Sequence, residues 1–267
     1  MPDLHVSYEP VRAIFEAMRS ERINGVLLSD VIGGGDPERV ASETLAVLAR
    51  YVDLKGQRSI LDVGCGCGRI AAALTQHAGS ASQYVGVDIV PGLVDFGRRL
   101  ITSRYPNFQF LLLDDSNRTY DTLRPENTQA DLARLADARP AASVDLGIAV
   151  SLFTHLDFGP AVETLTAMGQ LLTRGGRAFI TIFLLDPKAR EGIENGRTGF
   201  SFKHRTASGK LFAEKLEDPT YGVAHEIGQL EEIIRAAGFE LEHWVHGYWS
   251  QGNSGESFQD ALILRKV

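Results

Sequence analysis

The chain has 267 residues, 44% hydrophobic and 23% charged, enough for one large α/β domain or one domain with an elaboration. Its net charge of −7 argues against a nucleic-acid partner, which reads a basic face. No apolar run approaches the roughly eighteen residues of a membrane span, no signal-peptide pattern opens the chain, and the two cysteines make no disulfide framework, so a cytoplasmic setting is expected.

Tyr8 to Arg22 reads as a helix with Val11, Ile14, Phe15 and Met18 on one face. Asn24 to Asp36 is loop-like, and Gly33-Gly34-Gly35 before Asp36-Pro37 is either a hinge or a plain turn into the helix from Pro37 to Tyr51. Ile60, Leu61 and Val63 form a buried strand that runs into Gly64, Gly66 and Gly68, and a helical stretch from Ile70 to Ala78 follows. Glycine there permits positive φ and lets a ligand approach the backbone. The spacing G-x-G-x-G differs from the dehydrogenase G-x-G-x-x-G, and Gly68-Arg69-Ile70 lacks the Lys-Ser/Thr of a P-loop.

Val85 to Asp88 is a second strand ending in an acid, which suits a ribose with free hydroxyls. A helix begins at Pro91 and buries Leu93, Phe96, Leu100 and Ile101. The third strand, Phe108 to Leu113, ends on Asp114-Asp115. Ser116 to Ala142 is polar and too long for a plain crossover, with a helix expected over Thr128 to Ala138. A fourth strand, Val144 to Val150, leads into Ser151-Leu152-Phe153-Thr154-His155-Leu156. The helix from Pro160 to Leu172 is expected to stop at Gly175-Gly176. A fifth strand covers Arg177 to Leu185. Asp186 to Gly222 breaks the pattern and reads as an irregular flap of loops and short pieces. A helix resumes at His225, and Phe239 to Val245 and Ser257 to Arg265 are the sixth and seventh strands. Alternating strands and helices imply parallel βαβ units.

The run D-V-G-C-G-C-G, with Asp88 and the Asp114-Asp115 pair, resembles the class I S-adenosylmethionine (SAM)-dependent methyltransferases, well from Ser59 to Gly176 and more loosely beyond. The resemblance implies an α/β, Rossmann-like sheet of seven mostly parallel strands in the order 3-2-1-4-5-7-6, the seventh antiparallel, with helices on both faces. It implies an N-terminal helical lid over residues 1–55 and a methyltransferase domain over 56–267, with an insertion at about 186–222 as a second lid. SAM would lie against Asp62, Gly64, Cys65, Gly66 and Gly68, with Asp88 on the ribose hydroxyls, Ile89 on the adenine face, and Asp114 or Asp115 on the adenine amino group. Ser151 would border the same crevice. The acids Asp88, Asp114 and Asp115 have a plainer alternative as helix caps. Cys65-x-Cys67 has no histidines nearby and reads as small residues lining the turn rather than a metal site.

Methyl transfer needs a base only if the nucleophile carries a proton. His155 follows the fourth strand and is the candidate catalytic base, with capping or packing as its alternative role; His204 and His225 are weaker rivals. Tyr248-Trp249 either walls an aromatic pocket or packs in the core. The acid cluster of metal-dependent O-methyltransferases is absent, so no metal is expected. The [DNS]-P-P-[YFW] signature of adenine and glutamine methyltransferases is absent too, since S-L-F-T stands after the fourth strand. The expectation is methylation of a small molecule at oxygen or carbon in specialised metabolism. The competing readings are an NAD-dependent oxidoreductase and a non-catalytic SAM-binding module with a protein partner.

Overall fold

The computed structural model describes residues 9–113, 132, 142–250 and 256–267. Its contacts divide the chain into two units, the first reaching Leu112 and the second starting at Leu113. No helix among the described residues is long and apolar enough to cross a membrane.

In the first unit, helix α1 (Arg12–Ser20) buries Ile14, Phe15 and Met18. Arg19, in its last turn, grips the next long helix. Its Nε donates to Asp36 Oδ2 at 2.6 Å, and its Nη2 donates to Asp36 Oδ1 at 3.1 Å and Glu38 Oε2 at 2.8 Å. Asp36 also caps α3 (Pro37–Tyr51) by accepting from the Arg39 N–H. The guanidinium of Arg19 holds the Asp36 carboxyl below the usual carboxylate range. The loop expected over Asn24 to Asp36 is corrected in its first half. Strands β1 (Arg22–Ile23) and β2 (Val26–Leu27) pair as a hairpin, followed by the short helix α2 (Leu28–Val31). Asn24 and Gly25 both have positive φ, 51° and 83°, the geometry that an Asn-Gly hairpin turn selects.

Three parallel strands carry this unit, in the order β5 (Phe108–Leu112), β4 (Gln83–Asp88), β3 (Ser59–Val63). This is the expected 3-2-1 arrangement of the first three core strands. Helix α4 (Arg69–Leu74) is shorter than the sequence suggests, and α5 (Pro91–Gly97) passes into a π-helical turn over Arg98–Thr102. Phe110 explains the close seating of this region. A Cβ on Gly68 would stand 2.7 Å from its ring, and one on Gly97 would stand 2.6 Å from it.

In the second unit, β6 (Val144–Ala149) runs parallel to β7 (Leu172–Leu184), β12 (Asp260–Lys266) runs antiparallel to β7, and β11 (Phe239–Val245) pairs antiparallel with β12. Within the unit this is the 4-5-7-6 arrangement. Helix α6 (Phe158–Leu171) does not end at Gly175-Gly176. It stops at Leu171, and β7 begins at once. The register jumps from Val144↔Leu172 to Leu146↔Arg177, so the two glycines sit in a bulge of the strand.

The 186–222 region is not an irregular flap. It contains α7 (Pro187–Glu194), β8 (His204–Arg205) and β9 (Phe212–Ala213), and it leads into β10 (Val223–His225). β8 and β9 pair antiparallel, β9 and β10 pair antiparallel, and β10 runs parallel to the end of β7. His225 therefore ends a strand rather than opening a helix, and α8 runs Ile227–Ala236. The second unit holds seven strands among the described residues, three of them short additions beyond the expected pattern.

Candidate functional site

The turn after β3 is built from main-chain bonds between neighbouring strands. Gly64, Gly66 and Gly68 have φ of 71°, 55° and 88°, which side chains with a Cβ rarely adopt. The N–H groups of Gly64 and Cys65 both donate to Val87 O, at 2.9 and 3.1 Å, and Gly68 N–H donates to Cys65 O at 3.0 Å. Gly66 N–H donates to Asp88 Oδ2 at 2.8 Å, and Val90 N–H donates to Asp88 Oδ1 at 2.9 Å. Asp88 therefore closes the first turn and caps the second. Each of its oxygens accepts one backbone bond and keeps capacity for more. Burial raises its carboxyl above the usual range, offset by those backbone donors.

Asp62 stands two residues before the first glycine and is 1% exposed. Its Oδ2 accepts from the Tyr84 hydroxyl at 2.7 Å. Burial pushes this carboxyl up to about 7, and the neighbouring Asp88 adds to the rise. Cys65 is buried, and its Sγ would be 2.8 Å from a Cβ on Gly86, so only glycine at position 86 admits it. Burial raises both thiols, Cys67 to about 12. Gly68 serves packing against Phe110 and the start of α4. Gly64, Gly66 and Ile89 remain partly exposed. Above the turn lies the N-terminal segment. Ile32 Cγ2 is 3.4 Å from where a Gly66 Cβ would be, and the buried Arg69 donates from Nη1 to Ile32 O at 3.2 Å. The residues this turn brings together are Asp62, Gly64, Cys65, Gly66, Gly68, Asp88 and Ile89. Asp114 and Asp115 lie outside the described residues.

A second cluster lies in the second unit, after β6. Ser151 has φ of 60°, a strained value for a residue with a side chain. Its N–H donates to Thr181 Oγ1 at 2.7 Å, and its hydroxyl donates to Gln259 Oε1 at 3.0 Å; Thr181 donates to the same Gln259 oxygen at 2.6 Å. His155 is exposed. Its Nδ1 lies 2.7 Å from Thr220 O, so this nitrogen carries the proton and Nε2 holds the lone pair. His225 is fully buried, with Nε2 3.1 Å from Phe153 O and Nδ1 without a hydrogen-bond partner among the described residues. Burial depresses it to about 4, so it is neutral at ordinary pH. His204 lies partly exposed on β8.

Asp157 ties the added strands to α6. It accepts from the Phe158 N–H at 2.7 Å, from the hydroxyls of Thr206 and Ser208 at 2.6 Å each, and from the Ser208 N–H at 2.8 Å. These donors hold its carboxyl below the usual range against the cost of burial. Trp249 is core rather than wall. It is 3% exposed, packs on Phe183, Phe200 and Phe202, and donates from Nε1 to the buried Asp260 at 2.7 Å. Tyr84, Arg69, Thr181, Gln259 and Asp157 escaped the sequence reading. Tyr84 looks like any apolar strand residue, and the partners of the others are far off in sequence. Among the described residues no three of His, Cys, Asp and Glu group closely enough to hold a metal ion.

Residues 60–122 match the family model described as a methyltransferase domain. The chain is 33% identical over 75 residues to the protein-L-isoaspartate O-methyltransferase of Methanothrix thermoacetophila, covering 28% of this chain and 36% of that one. It spans only about a third of that relative's length. It is 23% identical over 163 residues to the protein of the same name from Methanocella arvoryzae, covering 61% and 76% of the two chains. Among solved structures, it superposes on mitomycin 7-O-methyltransferase with a TM-score of 0.56 at 13% identity, covering 87% of this chain and 55% of that one. It superposes on the Burkholderia thailandensis 1,6-didemethyltoxoflavin-N1-methyltransferase, solved with 1,6-didemethyltoxoflavin and S-adenosylhomocysteine (SAH), with a TM-score of 0.52 at 16% identity, covering 86% and 78%. Residues 60–122 are thus similar to a methyltransferase domain, and the fold is the one seen in these solved methyltransferases.

Proposed function

We propose that this protein transfers the methyl group of SAM to a small molecule, at oxygen or carbon. The observation that carries the reading is the glycine turn with two buried carboxyls, Asp62 and Asp88, at its base. The N–H groups of Gly64, Cys65, Gly66 and Gly68 are consumed by Val87, Asp88 and Cys65, so they are not presented to a diphosphate. Two acids there also repel a dinucleotide's phosphates and favour a ligand with positive charge. This supports SAM over NAD.

SAM supplies an electrophilic methyl group on a sulfonium. In this reading, Asp88 accepts from the ribose hydroxyls with the capacity its two backbone bonds leave free. Gly64 and Gly66 present bare backbone to the cofactor, Cys65 fills the floor of the turn, and Ile89 offers an apolar face to adenine. Asp114 or Asp115 serves the adenine amino group. Ser151, fixed by Thr181 and Gln259, borders the cofactor. Where the acceptor is a hydroxyl, His155 takes its proton at Nε2, the nitrogen that the Thr220 contact leaves unprotonated. In the same reading the chain carries an N-terminal lid over residues 1–55, a methyltransferase domain over 56–267 and an acceptor-enclosing insertion at about 186–222. Ile32 above Gly66 supports the first lid.

The small-molecule reading draws support from structural neighbours named for mitomycin and toxoflavin-type substrates. The curated relatives, named for protein isoaspartate, favour a second reading in which the acceptor is a protein carboxylate. One experiment separates them. The protein is incubated with SAM and either pooled small metabolites or an isoaspartyl peptide, and the products are read by mass spectrometry. Gain of one methyl on a metabolite, with matching SAH, is the expected result. Methylation of the peptide alone would replace the acceptor class, and SAH formation in neither arm would remove the activity.

A further inference from the structure

We propose that Tyr84 is a positioning residue for the cofactor turn: its hydroxyl fixes the Asp62 carboxyl at the base of the turn, so that binding a cationic ligand there releases a proton from Asp62. This inference rests on the SAM reading above.

The argument begins with burial. Asp62 is 1% exposed and Tyr84 is fully buried, so neither polar group reaches water. Tyr84 cannot swing away, because its ring stacks on Phe108 at 5.0 Å and lies against Phe110 at 5.8 Å. The 2.7 Å bond from its hydroxyl is therefore a fixed feature of β4. That bond favours the charged form of Asp62, because the hydroxyl donates to a carboxylate.

The other groups facing Asp62 act in both directions. Burial is the largest influence and disfavours its charge; the Asp88 carboxylate disfavours it further, and the buried Arg69 guanidinium favours it. The Cys65 and Cys67 thiols stay protonated. The balance leaves Asp62 titrating at about 7 in the free protein. A buried carboxylate whose charge the Tyr84 hydroxyl and the Arg69 guanidinium favour, but burial outweighs, is undercompensated. A cationic ligand at the turn supplies the missing charge. SAM and SAH both carry an amino-acid ammonium, with its carboxylate one carbon away, and 5′-methylthioadenosine has the same nucleoside with neither.

The proton balance is simple. Below the free-state value Asp62 is neutral; the bound ammonium stabilises its carboxylate, the proton leaves to buffer, and no covalent bond changes. Affinity therefore rises with pH until Asp62 is already ionised in the free protein, and then levels.

Calorimetric titration of the full chain with SAH, in two buffers of different ionisation enthalpy between about pH 5.5 and 8, tests this. The expected result is an affinity rising to a plateau near neutrality, with up to about one proton released per SAH bound below it. 5′-Methylthioadenosine is expected to show a flat profile. Tyr84→Phe removes the bond that favours the carboxylate, so the rise moves to higher pH and affinity recovers toward wild type at the alkaline end. A Tyr84→Phe profile identical to wild type, or lowered equally at every pH, overturns the proposal. Should Tyr84→Phe not fold, Asp62→Asn decides: a flat profile supports the proposal, and a retained slope overturns it. SAH binding that is pH-independent in the wild type also overturns this inference alone. No SAH binding at any pH would overturn the cofactor reading itself.

Discussion

The turn after β3 and the turn after β6 both follow strands of the core, yet they are held in opposite ways. The first is closed by backbone donors, with Val87 and Asp88 about 22 residues away as acceptors. The second is held through side chains with partners in distant parts of the chain: the side chains of Thr181 and Gln259, 30 and 108 residues from Ser151, and the His155 ring on the Thr220 carbonyl, 65 residues away. A turn made of main chain needs glycines at fixed spacing and can be recognised from them. A turn made by side chains can be rebuilt from other residues with little trace.

The largest effect that would sharpen this contrast is at His155. If the acceptor is a hydroxyl, His155→Ala is expected to lower turnover by roughly 10²–10⁴-fold while SAM affinity stays near wild type. Joint loss of turnover and SAM affinity would make this histidine structural, and unchanged turnover would remove it as the base.

Asp157→Ala comes next. It removes three hydrogen bonds that tie the Thr206–Ser208 turn to the start of α6, and the bond from the Phe158 N–H that caps that helix. The expected cost is about 2–3 kcal/mol of unfolding free energy, from a charged multiple acceptor that is also a helix cap. Hydrogen exchange should rise at residues 204–211 and stay unchanged at 64–68. Equal protection at residues 204–211 in the variant would break the claim that side-chain anchors hold this half.

Much of the fold was legible because it follows the period of the core strands. Ile60, Leu61 and Val63 before three glycines, and Asp88 after Val85 and Val87, came from local pattern, whereas the pairing of β11 with β12 came from the family resemblance. Asn24-Gly25 was equally legible as a hairpin turn, and the loop expected there overlooked it. The bulge at Gly175-Gly176 was not readable, because a Gly pair after a helix signals its end as readily as a strand irregularity. The strands β8 to β10 are two or three residues long and are fixed by pairing with β7, so no periodicity announces them. Tyr84 and Gln259 act through partners that only the fold supplies.

The smallest effect is a pH dependence at His225. Burial places its folded-state value at about 4, below the roughly 6.5 of an unfolded histidine. Its contribution is therefore fully present above about pH 6.5 and is lost as pH falls toward the folded value. Between neutrality and about pH 5.5 this amounts to about 1 kcal/mol. Denaturant unfolding across that window should show the decline. His225→Gln, which keeps a donor for Phe153 O but does not titrate, should flatten it. A slope unchanged in the variant would assign the acid sensitivity elsewhere.

The central claim is that the glycine turn with Asp88 is a SAM site. Equilibrium binding of SAM, SAH and NAD to the wild type and to Asp88→Ala, with folding of the variant checked by circular dichroism, tests it most directly. The account predicts binding of SAM and SAH but not NAD, and a loss of about 1–3 kcal/mol of SAM affinity in a folded Asp88→Ala variant. SAM affinity untouched by the substitution, or binding of NAD in its place, would contradict it.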